Sequence, residues 1–335
     1  MAHSANIGKI AGALDEILLI AAERCTVALG TYQLGLRLVT LMADGVVPHA
    51  PREGALVKQK GSSKGHHLYL LSPNDLPELS HLNSLALGAY GFARELQAAG
   101  WLVTLDRRRR SLVALHRKSR QGFFISQKEI AARHHAEFLR GVAHWHAILD
   151  GNLLLHAGAV SRGGRVVLLL GKGGSGKTSL VLRCASSGWQ FLGDNVVEIK
   201  QEQSGVLAGL VYPTAKVRAG SSQFSHLGEG YLDPENGKYV YFLGKSGIRL
   251  GSGSPQPVGY CALLTPETEQ EKRLVSAADL LLLSGPDTIA QFPGFERELL
   301  ARINNLMTRM PVELLPRAPL EELESSLLSS LEKQS

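Results

Sequence analysis

Between Leu168 and Cys184 the chain reads LLLGKGGSGKTSLVLRC, and within it stand Gly171, four residues, then Gly176-Lys177-Thr178. That spacing belongs to a loop that cradles phosphate groups. A buried strand there must turn abruptly into a helix while its backbone closes on a polyphosphate. Gly171, Gly173, Gly174 and Gly176 permit this, because a side chain would block the approach or resist a positive φ. The N–H groups of the loop and first helical turn, with Ser175 and Ser179 among them, then point at phosphate oxygens, where the helix dipole also favours negative charge. Lys177 is expected to reach the terminal oxygens as a point charge. The Thr178 hydroxyl is expected on a Mg2+ ion that the phosphates bring with them. ATP and Mg2+ are the ligands the pattern predicts; the bland alternative is a glycine-rich turn that binds nothing.

Holding a phosphate is not yet chemistry. Transfer needs a group to complete the metal shell and one to take the acceptor's proton or orient the attacker. Asp194 lies 17 residues after Lys177, room for one helix and one strand to return the chain to the same sheet edge. It is the expected base; the alternative is a turn cap before Asn195. Asn195 itself is a candidate for the metal shell. A more distant carboxylate, Asp279, precedes its apolar run instead of following it and fits less well. His156 ends the strand before the phosphate-loop strand, where it could hydrogen-bond Asp194 or touch the transferred phosphate. A lone histidine can equally be structural.

These residues need elements to position them. Asn152–Val160 reads as one strand, Ser161–Gly164 as a turn, and Arg165–Leu170 as a strand buried on both faces. A helix is predicted from Thr178 to about Ser187, stopped by Gly188, followed by strands over Trp189–Gly193 and Val196–Lys200. Beyond lie turn-rich stretches, Gly228–Gly230 and Gly244–Pro257, then a strand at Tyr260–Leu264 and helices at Glu296–Thr308 and Leu320–Leu331. Upstream, Pro48–Lys64 reads as a loop and His67–Leu71 as a strand. Residues 81–99 read as a helix. Trp101–Leu105, Ser111–His116 and Gly122–Ile125 read as strands, and 127–149 as a second helix. The organisation expected is a mixed α+β domain over residues 1–150 and a phosphate-loop domain over 151–335.

Length and composition set the frame. A chain of 335 residues suits two domains of roughly 100–200 residues each. With 44% apolar and 20% charged residues it has the make-up of an ordinary globular protein. A net charge of +6 does not by itself imply nucleic acid. Basic residues do gather between Trp101 and Arg140, including the run Arg107-Arg108-Arg109-Arg110. This is a solvated hairpin tip or a dock for an acidic partner. Cys25, Cys184 and Cys261 are scattered, with no metal-ligand spacing, as suits reduced thiols. The apolar stretch Ile17–Ala22 is too short, and too closely flanked by Asp15, Glu16 and Glu23, for a signal peptide or membrane span. A cytoplasmic protein is expected.

Taken together, LLHAGAV and VVLLLGKGGSGKTSLVLRCASSGWQFLGDN resemble the catalytic domain of the HPr kinase/phosphorylase family, and more closely the related kinases that carry this domain outside sugar regulation. The resemblance covers roughly residues 150–330 and is specific at the loop and its flanks. It implies a phosphoenolpyruvate-carboxykinase-like fold, α/β at the phosphate loop and α+β overall. It implies Asp194 as base, His156 as its hydrogen-bonded partner, and Lys177 and Thr178 as phosphate and metal contacts. Lys216 and Arg218 loosely match basic residues that related kinases place near the phosphates. The tail RMPVELLPRAPLEELESSL is similar to the family's closing strand and helix, and multimers occur within the resemblance. Where the family has a second acidic residue this chain has Asn195, which bears on a metal contact or on a reverse reaction. Glu198 is the nearest substitute.

The function expected is an ATP-dependent kinase acting on a hydroxyl, with serine of a peptide or protein as acceptor. Small-molecule phosphorylation is one alternative, since Gly193-Asp194-Asn195 is also similar to a stretch in adenylylsulfate kinases. A nucleotide-binding regulator or assembly factor is the other, with Asn195 marking lost catalysis.

Overall fold

The computed structural model describes residues 11–12, 14–15, 67–71, 99–106, 111–126, 145, 147–211, 213–218, 222–227, 230–233, 237–251, 254–265 and 296–333. The chain divides into two compact units, Met1–Leu149 and Asp150–Ser335.

In the first unit, β1 (His67–Leu71), β2 (Trp101–Asp106), β3 (Ser111–His116) and β4 (Gln121–Ser126) form a sheet in the order β1-β4-β3-β2. β1 and β4 run parallel, and the other pairs are antiparallel. Burial is continuous along the strands: Trp101, Leu102 and Val103 of β2, Leu112–Leu115 of β3 and Phe123 of β4 are fully or almost fully enclosed, so both faces of the sheet are covered there. The Trp101 ring packs against His116 and Phe123, and its indole N–H donates to Asp15 Oδ1 at 3.0 Å, which satisfies the polar edge of a buried aromatic. The four predicted strands are thus present. The expected helix over 81–99 falls almost wholly outside the described residues, as does the Arg107–Arg110 run. Of the expected helix over 127–149, residues 145 and 147–149 are described and helical, with Trp145 and Ile148 buried.

The second unit is built on an eight-stranded sheet. Its strands are β5 (Leu153–Leu155), β6 (Gly158–Arg162), β7 (Arg165–Gly171), β8 (Gln190–Gly193), β9 (Val197–Glu202), β10 (Gly205–Leu210), β14 (Gln256–Thr265) and β15 (Val312–Pro316). The order is β5-β9-β10-β14-β7-β6-β8, with β15 added on β14. β7 and β15 flank β14 in parallel, the buried arrangement that a continuous apolar run such as Val166–Leu170 requires. Helix α1 (Lys177–Ser186) follows β7, and α2 (Glu296–Met307) and α3 (Leu320–Lys333) come late in the chain. The buried core joins Leu180, Val181 and Cys184 of α1 to Val167 and Leu169 of β7 and to Leu323, Leu327 and Leu331 of α3. Both described cysteines, Cys184 and Cys261, are buried thiols, and burial pushes Cys184 up to about 12.

Two departures from the sequence reading position the site. Asn152–Val160 is not one strand. β5 pairs with β9 whereas β6 pairs with β7 and β8, so the chain must bend at His156-Ala157 to change partners. Uniform apolar texture on both sides of His156 hides that change. The stretch after β10 is also richer than turns. There β11 (Thr214–Arg218), β12 (Gly230–Asp233) and β13 (Lys238–Phe242) make a separate antiparallel sheet in the order β11-β13-β12. Among the described residues, no helix is long and apolar enough to cross a membrane.

Candidate active site

The phosphate loop leaves β7 at Gly171 and enters α1 at Lys177, as the glycine spacing requires. A Cβ on Gly171 would stand 2.5 Å from Ser175 Oγ and 2.9 Å from the Leu264 carbonyl oxygen, so only glycine lets the loop close against β14. Gly176 is the N-cap, at φ 96°, and gives α1 no side-chain cap; the first turn carries no acidic residue. A helix start without these usual neutralising groups keeps its N–H donors and positive dipole end for another partner.

Lys177 and Asp194 are the buried charged side chains among the described residues, at 8% and 3% exposure. Burying charges is costly, so two of them in one place mark the site more strongly than either motif does alone. The Lys177 ammonium donates to the carbonyl oxygens of Gly171 at 2.6 Å and Lys172 at 3.1 Å, which holds it within the loop's curl. Burial holds its pKa below the ordinary lysine value, and the opposite charge of Asp194 works against that shift.

Asp194 follows the last residue of β8 and faces the start of α1. The Thr178 hydroxyl donates to its Oδ1 at 2.8 Å. The Lys216 backbone N–H and the Asn195 side-chain amide donate to its Oδ2 at 3.0 and 3.2 Å. Burial raises its pKa above the usual carboxylate value, opposed by the Lys216 and Thr178 hydrogen bonds and then by the charges of Lys177 and Lys238. The carboxylate is therefore fixed in direction by three donors and made more basic by desolvation, while each oxygen keeps further acceptor capacity.

Strand registers bring His156 to the same edge. Gly158, two residues after His156, pairs with Leu169 near the end of β7, and Ala159 pairs with Gly193 across β6 and β8. On the other side Leu155 pairs with Val197. The bend at 156–157 and the link 194–196 are thus neighbouring crossovers between the same two sheet segments. Asn195 occupies its crossover with φ 72°, a left-handed conformation that asparagine tolerates better than most residues. Glu198 is engaged elsewhere, its carboxylate accepting from Asn152 Nδ2 at 2.8 Å.

The small sheet supplies positive charge. In β11 and β13, Ala215 and Val217 join Tyr239 and Tyr241 in the core, while Arg218 pairs in register with Lys238 on the opposite face. The Arg218 guanidinium lies 3.3 Å from where a Cβ on Gly174 would sit, at the crown of the phosphate loop. Lys238 acts electrostatically on both Lys177 and Asp194. Sequence reasoning missed Lys238 and the Lys216 backbone donor. The alternating segment KYVYF, with Tyr239 and Tyr241 on one face and Lys238 on the other, carried a strand signal.

A bound polyanion fits what is present. Ser175 Oγ is buried with no hydrogen-bond partner among the described residues, in the middle of the loop. The uncapped helix start, Lys177 and Arg218 converge on the same space. No group of three or more His, Cys, Asp or Glu among the described residues could hold a metal by itself. Mg2+ there would need phosphate oxygens as ligands beside Thr178, with Asn195 as the further candidate, which leaves Asp194 free to act as base. Asp279 lies outside the described residues.

No family model matches the chain, and no curated protein matches it. Among solved structures it is similar to the Hpr(Ser) kinase/phosphatase from Coxiella burnetii, with 15% sequence identity and a TM-score of 0.33 over 54% of this chain and 97% of that one. A likeness that distant says nothing about chemistry.

Proposed function

We propose that this chain is an ATP-dependent kinase that transfers a phosphoryl group to a hydroxyl, with serine of a peptide or protein as the acceptor. The observation that carries the reading is the 2.8 Å hydrogen bond from Thr178 to Asp194. It joins the first turn after the phosphate loop to a buried carboxylate on the neighbouring strand end. ATP with Mg2+ supplies the phosphoryl group and the charge that offsets it during transfer. The chain's own residues do the rest. Loop N–H groups, Ser175 and Lys177 hold and orient the phosphates; Arg218 and Lys238 add positive charge where negative charge spreads. Asp194 accepts the proton of the acceptor hydroxyl, whose oxygen then forms the new P–O bond as the bond to the leaving diphosphate breaks. His156, in the adjoining crossover, steadies Asp194. Arg107–Arg110 give an acidic partner a place to dock.

Single-turnover incubation with γ-labelled ATP tests this. Label moving to a serine-containing peptide or protein, and lost in Lys177→Ala, supports the kinase. Label in a small metabolite moves the acceptor class, and tight ATP binding with no transfer to any acceptor leaves only a regulator.

A further inference from the structure

The mechanism leaves one cavity unused. A pocket of about 520 Å³ is walled by Ser161, Arg162, Ser187, Gln190, Arg249 and Gln256, with glycines completing it. It sits at the opposite end of α1 from the phosphate loop. Ser161 and Arg162 end β6, Ser187 caps the carboxyl end of α1, Gln190 opens β8 and Gln256 opens β14. Ten residues of helix place the two regions about 15 Å apart. A ligand here could not touch a triphosphate held by the loop.

The lining side chains are serine, glutamine and arginine; Glu324, beside the wall, accepts from the Ser187 hydroxyl at 3.1 Å and is ion-paired with Arg183. Ser161, only 1% exposed, donates its hydroxyl to Gln256 Oε1. The Gln256 amide in turn donates to Gln190 Oε1 at 2.9 Å. The chain of bonds consumes its acceptor oxygens internally and ends on the Gln190 amide nitrogen, a donor with no acceptor among the described residues. Arg162 lies over the Trp189 ring at 5.5 Å, which fixes its plane without neutralising it. The backbone of Arg249 is held by paired hydrogen bonds, Phe191 N–H to the Arg249 carbonyl and Gly251 N–H to the Phe191 carbonyl, each 2.8 Å. Neither guanidinium has an ion-pair partner among the described residues. Two planar donor forks and a donor amide around a space of metabolite size call for a ligand with several acceptor oxygens and negative charge.

We infer that this pocket is a second ligand site, separate from the phosphate loop, that takes a small dianion: a phosphate monoester or a dicarboxylate. The site stands whether or not the chain transfers phosphate. Calorimetric titration of the full chain with glycerol phosphate, and separately with succinate, tests it in the wild type, in Lys177→Ala and in the double variant Arg162→Gln, Arg249→Gln. Both arginines are exposed, so these changes leave the fold in place; should the double variant melt early, the two single variants serve the same comparison. The expected result is saturable binding of at least one probe, equal in the wild type and Lys177→Ala and weakened about tenfold or more in the double variant. Binding of glycerol phosphate alone assigns the pocket to phosphate esters, and binding of succinate alone to dicarboxylates. No saturable binding of either probe overturns the inference. So does binding that persists in the double variant, or that disappears in Lys177→Ala.

Discussion

Asp194 and Lys177 oppose one another in a way that sets a pH window. The proposed transfer needs Asp194 ionised and Lys177 protonated. Burial raises the first pKa and lowers the second, so activity should fall on the acid side above the ordinary carboxylate value and on the alkaline side below the ordinary lysine value. Lys238 lowers both, because its positive charge favours the carboxylate and disfavours a second ammonium. Replacing Lys238 by Gln should therefore move both limbs of the pH–rate profile upward, with the fold unaffected at a partly exposed position. Limbs that stay in place, or move in opposite directions, would show that Lys238 does not act on this pair. Both buried charges were legible in the sequence, one from the loop motif and one from its distance along the chain. The donors that aim Asp194 were not, since a backbone N–H such as that of Lys216 leaves no trace in residue type.

At the scale of elements, the βα turn depends on Gly171. A methyl group there would overlap Ser175 Oγ and the Leu264 carbonyl, at a backbone φ of +156°. Gly171→Ala should destabilise the second unit by about 1–3 kcal/mol and weaken nucleotide binding. Thermal melting and ATP titration read these together; wild-type values in both would mean the loop has room it is not seen to have. Strand, loop and helix were readable here because glycine spacing and apolar runs are local signals. The bend at His156 was not, because it comes from β5 and β6 choosing different partners far along the chain. The β11–β13 sheet was missed for a related reason. Its strands are four or five residues long and the segments between them are rich in glycine, serine and proline, so turn chemistry dominated the local sequence pattern.

At the scale of the molecule, the division at Leu149 and Asp150 separates a unit holding the whole phosphate site from one holding none of its described residues. A fragment spanning 150–335 should fold cooperatively and bind ATP as the full chain does, by melting and by titration; a fragment that unfolds would show that the first unit completes its core. In the sequence the texture changes near residue 150, and nothing in residues 1–150 spells out chemistry. The central claim is that a carboxylate at one strand end serves the phosphates held by the adjacent turn. Its most direct test is the single-turnover rate of Asp194→Ala beside its ATP affinity. The account predicts near-wild-type affinity with transfer slowed by ~10²–10⁴. Transfer at the wild-type rate in that variant would contradict it.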